Sequence, residues 1–165
     1  MRRISITEGS EVQTRLNLAL SFVVESLIML MFVAVVAAAA QSVPAPRTID
    51  KGDQSNVDEA RQVVVRTQAE WDKLWTTHGG DRKKPAIDFS KDMVVGVFMG
   101  TRPSAGYTTT IVSTVSKDGK TIVRYEEKMP PKGTLTAQIL TSPYHLVTLP
   151  KMAGQVAFER VQTEK

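Results

Sequence analysis

The chain has 165 residues, 21 basic and 17 acidic side chains, a net charge of +4, and no cysteine. That composition excludes a disulfide framework, a thiolate zinc site, a cysteine nucleophile and a lipid anchor attached through cysteine. In the first forty residues three arginines (Arg2, Arg3, Arg15) balance three glutamates (Glu8, Glu11, Glu25), so the excess charge belongs to the remainder. Its densest run, Arg82-Lys83-Lys84, reads as a solvated loop, and no recognition motif accompanies it, so nucleic acid is not an expected partner.

In chain order, residues 27–40 (LIMLMFVAVVAAAA) form an unbroken apolar run of signal-peptide length, too short to cross a bilayer comfortably. Ala38 and Ala40 supply the small residues of a cleavage site, and Gln41-Ser42-Val43-Pro44 cannot continue a helix. Residues 1–40 are therefore expected to be a signal peptide, leaving the working part periplasmic or secreted. The alternative is a membrane anchor extended back to Leu16, in which Glu25 would cost a few kcal/mol within the apolar region.

Residues 41–59 are polar and aperiodic, and read as a flexible linker with at most a short edge element. Structure is expected from Ala60. The β-branched run Gln62-Val63-Val64-Val65-Arg66 predicts a strand. Thr67-Gln68-Ala69-Glu70 is a capping-box sequence, and Trp71, Leu74 and Trp75 fall on one face of the helix it opens. Gly79-Gly80 should end that helix with a left-handed residue.

Residues 93–99 (MVVGVFM) are apolar without alternation, which predicts a central strand covered on both faces. A hairpin follows over 107–128, turning at Asp118-Gly119, a pair suited to a type I′ turn. Its register would set Lys117 against Lys120, Val115 against Ile122, Thr114 against Val123, Ser113 against Arg124 and Val112 against Tyr125. Pro130-Pro131 breaks the ladder, and two last strands are expected over 145–149 and 155–161. The fold class is α+β, with one helix packed on a largely antiparallel sheet of about five or six strands.

Catalytic signals are weak. Any serine triad would have to use His78 or His145, with Ser104 or Ser142 as nucleophile, and neither serine sits in a Gly-x-Ser-x-Gly elbow. His78 with Asp81 and Asp88 lacks metal-ligand spacing, and the loop from Gly100 to Gly106 lacks the lysine and following helix of a phosphate-binding loop. No cofactor, no metal and no enzymatic activity are expected. Arg102, Ser104 and Tyr107 instead combine a fork-shaped donor, a hydroxyl and an amphipathic aromatic, types suited to gripping a protein.

Phe98-Met99-Gly100-Thr101-Arg102-Pro103-Ser104-Ala105-Gly106-Tyr107, followed by a hairpin, by Pro130-Pro131-Lys132-Gly133 and by Ser142-Pro143-Tyr144-His145, resembles the PrcB C-terminal domain family. The resemblance covers about residues 60–158, within a domain taken as 60–165. It implies an extracytoplasmic, non-catalytic accessory module of a protease complex. The residues that carry it, Arg102, Ser104, Gly106, Tyr107, Ser142, Pro143, Tyr144 and His145, are the candidate partner-binding set, provided that the two loops lie at one end of the sheet. The expected partner is another protein, a protease in the first instance, and the membrane enters only through an uncleaved N-terminal segment. Two other readings are a protease inhibitor that uses the loop from Pro103 to Tyr107, and an envelope structural domain without a protease partner.

Overall fold

The computed structural model describes residues 44–117 and 119–162; the expected targeting segment and Asp118 of the expected turn lie outside them. The elements are β1 Arg47–Gly52, β2 Arg61–Val65, α1 Gln68–His78, β3 Asp92–Phe98, β4 Thr108–Lys117, β5 Lys120–Lys128, β6 Tyr144–Pro150 and β7 Val156–Arg160. They form an antiparallel sheet of order β1-β6-β3-β2 and a second sheet of order β4-β5-β7, in which β5 and β7 run parallel.

β3 organises both cores. Its alternate side chains go to opposite faces, and each face is covered. Val94 and Phe98 pack with Trp71, Leu74 and Trp75 of α1 and with Leu146 of β6. Met93, Val95 and Val97 pack with Ile111 of β4, Val123 and Tyr125 of β5, and Val147 and Leu149 of β6. The three layers are helix, sheet, sheet. The apolar run without alternation in 93–99 is the signature of this position, as expected from sequence.

The α+β class stands, but the expectation of a single sheet of five or six strands is corrected to seven strands in two sheets. One helix can cover only one face of β3. The β4–β5 hairpin therefore folds across the other face rather than extending the first sheet. β7 joins the hairpin, with Thr121 opposite Val156 and Tyr125 opposite Arg160, instead of pairing with β6. The additional strand is β1, within the stretch read as linker: Arg-Thr-Ile-Asp-Lys-Gly is too polar to announce itself, because it is an edge strand in which only Ile49 and Asp50 are partly buried.

The helix start is as the capping box requires: the Glu70 N–H donates to Thr67 Oγ1 (3.3 Å), and Glu70 Oε2 accepts from the Thr67 N–H (3.1 Å) and the Arg66 N–H (2.7 Å). These donors, the Arg66 N–H foremost, hold the Glu70 carboxyl below the usual range. At the other end Gly79 stays right-handed and the left-handed residue is Gly80, at φ +55°. Gly79 has a packing reason, since a Cβ there would lie 2.5 Å from the Trp75 ring.

The hairpin register holds from Lys117–Lys120 to Ser113–Arg124 and then breaks: Tyr125 faces Ile111, not Val112. A β-bulge inserts Val112, which points outward at 41% exposure, while Ile111 takes the buried place.

Candidate functional site

The two loops of interest lie at the same end of the first sheet. β3 ends and β6 begins there, with Phe98 opposite Tyr144. Met99 N–H donates to the Pro143 carbonyl (2.9 Å), and Arg102 and Thr141 exchange backbone hydrogen bonds in both directions (2.7 and 3.0 Å). The Ala105 N–H reaches the Ala137 carbonyl (2.9 Å), and Thr141 Oγ1 donates to the Ser104 carbonyl (3.0 Å). Gly106, at φ +95°, passes so close to Pro130 that a Cβ would sit 3.0 Å from it. The loop over 99–107 is thus clamped by the strand-free segment over 129–143.

Burial divides the eight candidate residues. Ser104, Ser142, Pro143, Tyr144 and His145 are buried; Arg102 and Tyr107 are half-buried and Gly106 is exposed. A partner can touch the last three directly. The other five hold the loops in place, because the fastening that brings the loops together also covers their side chains.

Arg102 and Tyr107, with Pro103 and Met99, line a cleft of about 310 Å³ that shares Glu127, Met129 and Arg160 with a larger one of about 810 Å³. The larger cleft is also lined by Gly106, Thr108, Pro131 and Val161. Arg160 is paired with Glu127 at 3.0 Å. Arg102 has no carboxylate partner among the described residues; its Nη1 donates only to the Thr101 carbonyl (3.4 Å). The groove therefore offers one uncommitted guanidinium beside an aromatic ring and the exposed Met129, a combination suited to a peptide or protein surface carrying a carboxylate next to an apolar side chain.

A second cluster escaped the sequence reading. His78 extends the apolar face of α1 by one more turn after Trp71, Leu74 and Trp75, and it is 1% exposed. Its Nδ1 lies 2.8 Å from Ser55 Oγ and its Nε2 lies 3.1 Å from Asp50 Oδ2. Arg82 Nη1 donates to Asp50 Oδ2 (3.1 Å) and to Tyr144 Oη (2.8 Å), which donates to Asp50 Oδ1 (2.9 Å). Arg82, like Lys83 and Lys84, is exposed in the loop after α1, but its guanidinium also stacks over Trp75 and Tyr144. Burial, foremost, lowers the His78 pKa despite the neighbouring Asp50, and burial raises that of Tyr144. The neutral ring has one proton. On Nε2 it donates to Asp50 while Nδ1 accepts from Ser55; on Nδ1 it donates to Ser55 while Nε2 accepts from Arg82 Nη2 (3.0 Å).

A serine, a histidine and an aspartate are thus in contact, but with Ser55 rather than Ser104 or Ser142. Ser55 Oγ already accepts the Val57 N–H (3.1 Å), and the imidazole is enclosed by Trp75, Phe98 and Tyr144. Neither Ser55 nor His78 lines the groove. The cluster ties β1, α1, the loop after it and β6 together. Asp50 lay in the presumed linker, so sequence gave no reason to connect it; the i, i+3, i+4, i+7 spacing of Trp71, Leu74, Trp75 and His78 was the available signal.

His145 also serves as a tie. Its Nδ1 accepts the Ile111 N–H (2.8 Å), which places the ring proton on Nε2, 2.8 Å from Thr48 Oγ1. One imidazole thereby joins β1, β6 and β4 across the two sheets. Burial, and then the Lys51 charge, push its pKa down to about 4. His78, Asp81 and Asp88 do not assemble a metal site, and among the described residues no cluster of three or more metal-ligating side chains occurs.

No curated protein and no solved structure matches the chain. Residues 93–150 match the family model described as PrcB C-terminal. That span is shorter than the 60–158 of the resemblance: it runs from the start of β3 to the end of β6, takes in both clamped loops and the hairpin, and leaves out β2, α1 and β7. Over residues 93–150 the chain is thus similar to the PrcB C-terminal family, in agreement with the resemblance carried by its loop motifs.

Proposed function

We propose that the chain is a non-catalytic, exported protein-binding module that serves as an accessory or stabilising subunit for an extracytoplasmic protease. The observation that carries this reading is the PrcB C-terminal match over the segment that builds both loops. A non-catalytic role is supported by the burial of His78 (1% exposed) and Ser55 (9%) in the Ser55–His78–Asp50 contact, away from the groove. The binding surface is the groove of Arg102, Gly106, Tyr107, Met129 and the Glu127–Arg160 pair, held rigid by the clamp between the loops, so that little order has to be gained on association. Export with cleavage after Ala40 places this groove in the periplasm or outside the cell.

Crosslinking of tagged full-length protein in native envelopes tests the reading, beside an Arg102→Ala/Tyr107→Ala variant whose melting temperature is checked to be unchanged. Recovery of a protease with the intact protein and its loss with the variant is the expected result. If the recovered protease is inactive while bound, the module is an inhibitor; if both proteins recover the same background, the accessory role is refuted. The mass of the recovered chain reports whether it begins at Gln41 or at Met1.

A further inference from the structure

Five large apolar side chains are exposed among the described residues, and four of them lie on one loop: Met129 (68%), Ile139 (52%), Leu140 (70%) and Leu135 (99%). The backbone of this loop is not loose. It is fastened through Thr134 to Pro131, Ala137 to Ala105 and Thr141 to Arg102, so the leucines and the isoleucine are held outward by a fixed frame. Along the loop itself the charge has one sign, while Glu126 and Glu127 line the cleft beside Met129. From Met129 to Phe158 the chain has no acidic residue, Lys132 stands within the loop, and Lys128 stands at its foot, where it also meets Glu126 at 3.3 Å.

We propose that this loop is a membrane-docking tip, in which Leu135, Ile139 and Leu140 enter the interfacial zone of an anionic bilayer while Lys132 and Lys128 meet its headgroups. A fully exposed leucine on a convex loop finds in a bilayer an acceptor that needs no matching cavity, and a basic rim adds attraction to anionic lipid. The loop leads into β6 at Tyr144, whereas β1 begins at Arg47 opposite Thr148, at the other end of the same sheet. The proposal goes beyond the accessory role and does not depend on it.

The topology supplies the test. The chain has no cysteine, so Thr134→Cys places an environment-sensitive fluorophore uniquely on the loop without removing an apolar side chain. Lys91→Cys places it beside Asp92, which faces Pro150 at the far end of the sheet. Full-length protein is mixed with vesicles of equal phosphatidylglycerol and phosphatidylcholine, and with phosphatidylcholine alone. The expected result is a blue shift of the Thr134 label with anionic vesicles. Its midpoint lies at about tenfold lower lipid than with neutral ones, and the Lys91 label stays wet. Leu135→Ser/Leu140→Ser should raise that midpoint by about 30-fold or more, with circular dichroism unchanged because both residues are exposed. A Thr134 label that stays wet with both vesicles, a shift at Lys91 alone, or a Thr134 shift indifferent to the serine substitutions would overturn the proposal. In those outcomes the apolar tip is left to a protein partner or association is left to the N-terminal segment, and the groove reading stands or falls by its own crosslink.

Discussion

The two faces of the first sheet are held by different chemistry. On the helix side, apolar packing by Trp71, Leu74 and Trp75 gives way at one edge to a polar cluster in which Asp50, His78, Arg82 and Tyr144 satisfy one another. Toward the second sheet the core is mostly aliphatic; the buried His145 imidazole ties the sheets together, joined by Gln62 Nε2 donating to Tyr125 Oη (3.2 Å) and, at the surface, Lys51 Nζ donating to Thr110 Oγ1 (2.8 Å). The difference follows from what each face must do. A short helix leaves the sheet edge uncovered, and polar side chains with water on one side can close it. Between two packed sheets water is largely excluded, so a polar group there needs a partner inside the protein, which His145 finds and, among the described residues, Thr114 Oγ1 does not.

The comparison breaks most easily at its apolar members. Trp71 is fully buried and its indole N–H donates to the Pro85 carbonyl at 3.0 Å. Trp71→Ala should cost about 3–5 kcal/mol in urea unfolding, whereas Val123→Ala, on the sandwich side, should cost roughly 1–3 kcal/mol. Comparable losses would mean that the helix face is no more dependent on its aromatic packing than the sandwich is on its aliphatic packing.

Acid should strike the sandwich side through His145. Its pKa falls from 6.5 to about 4 on folding, so the unfolded chain takes up a proton that the folded chain refuses. The stability linked to this residue is complete above pH 6.5 and is lost as pH falls through the window down to about 4, with a slope of at most about 1.4 kcal/mol per pH unit. His78, also lowered, adds to the same direction. Between pH 7 and pH 5 a loss of about 2 kcal/mol assigned to His145 is expected, and His145→Gln should flatten that part of the profile while lowering stability at pH 7. An unchanged slope in the variant would move the acid sensitivity to the helix side.

Much of this was legible because it is local. The capping box, the two tryptophans on one helix face, the doubly covered β3 and the lower hairpin register follow from spacing within one element. What was hidden is what one element does for another. Nothing in Arg-Thr-Ile-Asp-Lys-Gly says that Asp50 will meet a histidine 28 residues on, and the Val112 bulge places Ile111 where His145 can accept its N–H. The paired loops were visible as motifs, but Tyr144 and His145 look like surface residues only until their partners are known.

The mildest change sharpens the comparison furthest. Tyr144 Oη stands between Arg82 and Asp50, and Tyr144→Phe removes that bridge while leaving the ring stacked near His78 and Phe98. Arg82 would still reach Asp50 directly at 3.1 Å, and the Asp50 side chain is 17% exposed, so water can take the place of the lost hydroxyl at Oδ1. The expected cost is therefore about 1 kcal/mol, the worth of one hydrogen bond whose acceptor can be resolvated, seen as a lower urea midpoint at unchanged slope. A cost of roughly 3 kcal/mol or more would instead be that of a buried charge left short of partners, and the polar cluster would then be as sealed from water as the core between the sheets.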